Sequence, residues 1–396
     1  VAAAEENKAV LANDRGDALC GLLNCSYNIG LRRLAVHIPQ YPVGLPKDLA
    51  QKIGEFVAIA RTVVGVKALK IFGFGPRPQD FMACNAPIQP LYDLGVTVME
   101  NSELDLLVAY KAAAKEKKTI AAIAADMAKE LGAGCRWPDL LPRLAQYELT
   151  LMKFYEANLG ASSYGVFANK CWPSFEGAFG FVPCYVNSRL AGRGIPVACE
   201  VDLYGALSEY MLQCATGLPA TLLDINNSVP ADVIKGKNLK GVPARDLFMG
   251  FHCGNTCSSC MKSCSMKFQL IMNRLMEGGR APDITRGTLE GPLKPGPATM
   301  FRLQGNADGE RTSYLAEGEI LDIDPCSFGG IGIVGIRDFA RFYRHVLISK
   351  RFPHHGGFGF AHAGRALFET VTLLGVDDIN TPLPEGVRYP GENPFV

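Results

Sequence analysis

Two carboxylates, Glu200 and Asp224, close two short apolar runs that flank one helical stretch. The first run, Gly194–Glu200, is β-rich, and the second, Leu218–Asp224, is another short apolar strand ending in an acid. Between them Leu203, Ala206, Leu207, Tyr210, Met211 and Cys214 recur at helical spacing, and Gly217 is placed to stop the helix. The pattern predicts a strand–helix–strand unit with parallel strands and a right-handed crossover. Both acids would then emerge at the carboxyl ends of strands, where open α/β sheets place their ligand sites. Adjacent strands would set them about 5–10 Å apart. That distance suits a shared metal ion, or an acid and a base on opposite sides of a small substrate. A single acid after a strand is more often a helix cap or a loop residue. Two on one unit, with histidines downstream, point to chemistry.

The downstream histidines lie in Phe352-Pro-His354-His355-Gly-Gly, which holds two of the six histidines of the chain. A glycine-flanked imidazole can approach an ion closely, and two carboxylates with one imidazole suit Mn²⁺, Mg²⁺ or Fe²⁺. The plain alternative is a solvated pair in a loop.

The elements that must position these groups follow from periodicity and punctuation. Helices are expected at 14–36, with Asp14 as cap, and at 49–65. A strand at Lys67–Phe72 runs into Gly73-Phe-Gly-Pro-Arg-Pro, followed by a helix over Asp80–Leu94 and a strand at Val96–Met99. The glycine pair there lacks the spacing and the Lys-Ser/Thr of a phosphate loop, and a tight βα turn accounts for it. Residues 103–131 read as one long helical region, Trp137–Leu159 as another, and Pro183–Gly192 as a third. From Gly287 to Ile323 short strands alternate with Gly and Pro turns, the mark of an antiparallel barrel or sandwich. Helices over 338–349 and His362–Leu374 close the chain. The expected fold class is α/β: a parallel-sheet, Rossmann- or flavodoxin-like domain at 1–215, then a β-rich, barrel-like C-terminal domain with helices at 216–396. The site is expected at their junction.

Bulk properties narrow the function classes. The chain has 396 residues, 48% hydrophobic and 20% charged, with a net charge of +1. Nothing in this balance argues for a nucleic-acid surface or electrostatic membrane attachment, and no apolar stretch reaches the ~20 residues of a membrane span. There is no secretory signal pattern. Thirteen cysteines, an odd number spread through apolar runs, read as reduced thiols of a cytoplasmic protein. Cys253, Cys257, Cys260 and Cys264 form a dense group that reads as an ordinary loop with reduced thiols. A metal site or a redox-sensitive surface is the alternative. Trp172 reads as a core residue, with packing against a sugar face as the alternative. His345 and His362 read as core residues or as supports of the His355 loop, and His252 and Asn255 as pocket wall.

Several blocks carry a resemblance. Pro183–Asp202, Tyr204–Asn227, Phe251–Thr256 (FHCGNT), Thr285–Pro292 (TRGTLEGP), Asp324–Gly332 (DPCSFGGIG) and Tyr343–His362 resemble the L-fucose/L-arabinose isomerase group, in order and over nearly the whole chain. The resemblance implies a metal-dependent aldose–ketose isomerase acting on L-fucose or a related aldose such as D-arabinose, through a cis-enediolate. It implies Glu200, Asp224 and His355 as ligands of Mn²⁺ or another divalent metal, with the two acids also transferring the proton. It also implies a small-molecule sugar as partner and a homo-oligomer, hexamer or trimer, with no organic cofactor. The chain seems to begin after the first N-terminal domain of that group. Two further readings stay open: a metal-dependent epimerase or lyase on a modified sugar, and a non-catalytic subunit whose partner supplies the missing domain.

Overall fold

The computed structural model describes residues 1–4 and 17–395. Helix α1 (Ala18–Leu31) precedes the long α2 (Pro46–Lys67), which Pro46 opens at its first position. The expected cap Asp14 lies outside the described residues. A four-stranded sheet follows, built from β1 (Leu69–Phe74), β2 (Thr97–Asn101), β3 (Tyr164–Ala168) and β4 (Val197–Ala198) in the order β2-β1-β3-β4, every pair parallel. Its connections carry α3 (Glu103–Ala113), α4 (Lys117–Leu131), α5 (Leu141–Asn158) and α6 (Cys184–Gly192). The stretch expected as one helix over 103–131 is thus two, separated at Ala114–Glu116. Ser102 and Asp105 form a reciprocal capping box at the start of α3.

Helix α7 (Leu203–Thr216) leads to the second sheet. There β5 (Ala220–Ser228), β6 (Leu247–His252), β9 (Gly296–Gly305), β10 (Arg311–Leu321), β11 (Gly330–Gly335) and β12 (His355–Gly359) close a six-stranded antiparallel barrel in the order β10-β9-β12-β5-β6-β11 and back to β10. Closure leaves the six ring strands without a free edge. Strands β7 (Ser265–Phe268), β8 (Arg286–Pro292) and β13 (Asp378–Asn380) extend the ring at its margins. Helix α8 (Gly364–Leu373) follows β12 and packs on α2.

The architecture corrects the strand–helix–strand reading. The run before Glu200 pairs with β3 in the parallel sheet, whereas the run ending at Asp224 is the barrel strand β5, antiparallel to both of its neighbours. Helix α7 joins two different sheets and packs between them, so eleven of its fourteen residues are buried. A helix covered on both sides must be apolar nearly all round. The helix expected over Asp80–Leu94 is also replaced. Pro87 and Pro90 interrupt the segment, leaving a single 3-10 turn at Met82–Cys84 and a short helix at Gln89–Asp93.

Candidate active site

Barrel register brings two of the three expected residues together. Asp224 on β5 and His355 on β12 are direct cross-strand partners, so their side chains leave the same face of the ring. His355 Nε2 lies 3.2 Å from Asp224 Oδ1. The glycines after His355 serve packing. A Cβ at Gly356 would sit 2.8 Å from the Tyr314 hydroxyl, and one at Gly357 would sit 2.9 Å from Leu212 of α7. They let the strand that carries the imidazole lie against α7.

Glu200 arrives from the other sheet. It sits just beyond β4 with φ 61° and ψ 21°, and Val201 follows with φ 57°. Two successive left-handed residues without a glycine are costly, and such backbone persists only where its surroundings over-determine it. Here Asn169 N–H donates to the Ala198 carbonyl and Val201 N–H donates to the Asn169 carbonyl, each at 3.0 Å. The Asn169 side chain is itself fixed by reciprocal hydrogen bonds with Asn187 and by Tyr147. The resulting bend turns Glu200 toward the barrel, with Oε2 3.5 Å from His355 Nε2.

A buried ion pair orients His355. Arg302 on β9 grips Asp202 through both guanidinium Nη atoms, at 2.6 and 2.8 Å, and neither residue is appreciably exposed. Burial alone would raise the Asp202 carboxyl, but Arg302 and His355 outweigh it and hold it well below the usual range. An ionised Asp202 can only accept, so His355 Nδ1–H donates to its Oδ2 at 2.9 Å. That fixes the tautomer and leaves Nε2 facing Glu200 and Asp224, the carboxylate–histidine arrangement that supports metal ligands. Asp202 also caps α7, accepting from Gly205 N–H at 2.8 Å. Burial likewise opposes ionisation of Asp224, but its contact with His355 prevails and holds its carboxyl below the ordinary value.

The donor set fits a divalent cation. Asp224 Oδ1 and His355 Nε2 are buried and make no hydrogen bond, an expensive arrangement unless another partner meets them. The close ligand groups are Asp224 with His252 and His355, and Glu200 with His354 and His355, so His355 is common to both carboxylates, and two carboxylate oxygens with one imidazole suit Mn²⁺ or a similar ion. His354 also approaches, its Nε2 3.5 Å from Glu200 and 3.8 Å from Asp224, and it is the more exposed imidazole. A His252 nitrogen lies within 4.8 Å of candidate ligand atoms on Asp224 and His355. Burial lowers the pKa of His252, so this imidazole stays neutral.

The loop after β1 covers the site. Cys84 Sγ reaches 3.8 Å from both Glu200 Oε2 and His355 Nδ1, and burial pushes its thiol up to about 11. Phe81 packs 5.6 Å from the His354 ring and 6.3 Å from Trp172. Trp172, expected in the core, is half-buried in this wall. His345 and His362 do not support the His355 loop. His345 stacks on Tyr389 near the C-terminus, and His362 faces the Gly318 carbonyl.

A second segment ties the two carboxylate-bearing strands together. Asn255 Nδ2 donates to the Val197 carbonyl at 2.6 Å, and Thr256 Oγ1 lies 2.9 Å from Thr221 Oγ1 on β5. Asn255→Ala leaves the Val197 carbonyl without that donor and is expected to cost about 1–3 kcal/mol of stability, read as a lower midpoint in urea unfolding.

Sequence reasoning missed Asp202, Arg302 and Cys84. Arg302 had a usable signal, a lone charge inside the apolar run Met300–Leu303. Asp202 had another, a capping residue directly before a helix. Cys84 had none.

Comparison with known proteins agrees with this architecture. Residues 250–380 match the family model described as the L-fucose isomerase C-terminal domain, and residues 1–67 match the fucose/sulfoquinovose isomerase N-terminal domain. Curated relatives include the sulfoquinovose isomerase of Clostridium sp. (strain MSTE9), 27% identical over 74% of this chain and 61% of the relative. Those of Alkalicoccus urumqiensis and Priestia aryabhattai are each 25% identical, over 83% and 70% of this chain and 68% and 56% of theirs. The chain thus spans between just over half and about two thirds of the length of these relatives. Both domain models and these relatives point the same way: the chain is similar to the fucose/sulfoquinovose isomerases.

Proposed function

We propose that this chain catalyses metal-dependent aldose–ketose isomerisation at the cluster of Glu200, Asp224 and His355. The observation that carries the reading is the buried His355 Nε2, which makes no hydrogen bond yet lies 3.2 Å from Asp224 Oδ1 and 3.5 Å from Glu200 Oε2. Glu200, Asp224 and His355 would hold Mn²⁺ or a similar divalent ion, which when bound polarises the sugar carbonyl and offsets the charge of the enediolate. The reaction moves a proton between C1 and C2. One of the two carboxylates removes it and the other, protonated, returns one. Phe81 and Trp172 offer an apolar wall to its carbon face and keep water away from the enediolate.

For substrate, the relatives' name points to sulfoquinovose and the sequence resemblance to L-fucose or D-arabinose. The chemistry at C1 and C2 is the same for each. A homo-oligomer is part of this reading, supported by the exposed apolar side chains of α1, among them Leu19, Leu23, Tyr27 and Leu31. So is a reducing, cytoplasmic setting, supported by thirteen free cysteines. Among the described residues no helix is long and apolar enough to cross a membrane.

The test is NMR of the protein with Mn²⁺ in D₂O and a panel of sulfoquinovose, L-fucose and D-arabinose. Ketose formation with deuterium at C2 of the recovered aldose, abolished by chelation, is the expected result. A C2 epimer or a cleaved carbon chain as sole product would instead establish an epimerase or a lyase. No turnover by folded, manganese-loaded protein would reject catalysis by this chain alone.

A further inference from the structure

Away from the metal-facing cluster, the densest reactive grouping is the sulfur pair Cys257 and Cys260. Both are buried and neither is in a disulfide. They bracket the 3-10 turn Ser258–Cys260, in which Cys260 N–H donates to the Cys257 carbonyl at 2.9 Å. A turn closed in this way brings its first and fourth Cα atoms within about 7 Å, the separation that a disulfide spans.

Cys257 Sγ lies 3.0 Å from Ser259 Oγ, and the Cys260 thiol faces the Pro219 carbonyl at 3.7 Å. The Cys260 contact, aided by Ser259 and opposed by burial, brings the Cys257 thiol down to about 6, while the Cys260 thiol is raised. The two thiols are pushed in opposite directions, in keeping with the division of labour of an attacking and a resolving cysteine. A cavity of about 380 Å³, lined by Pro219, Ser259, Cys260, Lys294 and Phe360 among others, opens onto the turn. Lys294 gives its mouth a positive charge. Among the described residues the pair belongs to no group of three ligand-bearing side chains close enough to hold a metal, so Cys253 and Cys264 leave it a two-sulfur site.

We propose that Cys257 and Cys260 are a reversible oxidation site that closes to an intramolecular disulfide on reaction with small disulfides of the oxidised-glutathione class. The Cys257 thiolate attacks one sulfur of the reagent, forming a mixed disulfide and releasing one glutathione thiolate. Cys260 then loses its proton and attacks the Cys257 sulfur, releasing the second glutathione. The protein dithiol gives up two electrons and two protons, and one small disulfide becomes two thiols. The turn is continuous with Asn255 and Thr256, which tie the Glu200 and Asp224 strands together, so the oxidation state of the pair bears directly on that tie.

The experiment is thiol mapping of the whole chain after exposure to oxidised glutathione, with alkylation after unfolding and mass spectrometry of the peptides. The expected result is a Cys257–Cys260 peptide two hydrogens lighter and resistant to alkylation, restored by dithiothreitol. In Cys260→Ser the expected product is Cys257 trapped as its glutathione adduct. In Cys257→Ser, Cys260 should stay free. The proposal is overturned if Cys257 and Cys260 both remain alkylatable while the exposed Cys20, Cys25 and Cys326 become glutathionylated. It is equally overturned if Cys257 bridges to a cysteine other than Cys260.

Discussion

Replacement of Glu200 or Asp224 by its amide is expected to lower kcat for ketose formation by about 10²–10⁴-fold, with little change in thermal stability. Each amide keeps the size and planar shape of the acid but cannot take or return a proton at the sugar carbon. Glu200→Gln keeps a residue at the left-handed position, and the hydrogen bonds that fix the bend run through the Asn169 backbone, not through the Glu200 side chain. Asp224→Asn keeps the cross-strand pairing with His355. The check is steady-state kinetics at saturating Mn²⁺ beside a thermal melt. A variant that retains more than a tenth of the wild-type kcat would remove that carboxylate from proton transfer.

The second large effect is expected away from the sugar. Asp202→Asn removes the charge that Arg302 and His355 share. Loss of a partner behind a metal-ligating histidine typically costs about 10–100-fold in metal affinity, and the same range is expected here for Mn²⁺ titrated by calorimetry. The substitution also leaves the Arg302 guanidinium buried without an anionic partner, beside the neutral Gln304, and a broken buried pair costs about 3–5 kcal/mol of stability. Asp202→Asn is therefore expected to weaken metal binding and to lower the unfolding midpoint together. Arg302→Met, which leaves His355 its acceptor, is expected to destabilise the fold with a smaller loss of metal affinity. Equal losses of affinity in the two variants would contradict the orienting role of Asp202.

The chemistry of the site was more legible in the sequence than the geometry that assembles it. Glu200, Asp224 and the two histidines stood out as polar groups at the ends of apolar or glycine-rich runs, and the structure sets His355 Nε2 3.2 Å from Asp224 and 3.5 Å from Glu200. The route differs from the reading. A short apolar run states that a strand is buried but not which strand it pairs with, and pairing partners here are far apart in sequence. Leu218–Asp224 meets His355–Gly359 more than a hundred residues later. The apolar faces of α7 carried a hint, because a helix buried on nearly every side must sit between two layers.

Other parts of the site depend on contacts that no local pattern encodes. The left-handed backbone at Glu200 is held by Asn169 and Asn187, from a different strand and a helix. Cys84 belongs to a proline-broken loop whose place over the site follows from packing of the Phe81 ring against His354 and Trp172. The glycines after His355 look like loop residues, yet they let a barrel strand lie close to α7 and the Tyr314 hydroxyl.

The account rests on one centre shared by two sheets, and anomalous X-ray scattering at the manganese edge from manganese-loaded crystals addresses it most directly. It predicts a single strong peak at bonding distance from carboxylate oxygens of Glu200 and Asp224 and from His355 Nε2, lost in His355→Ala. A peak centred on another set of ligands, such as Cys84 with Asp202, or an isomerase whose crystals bind no manganese at this cluster, would contradict it.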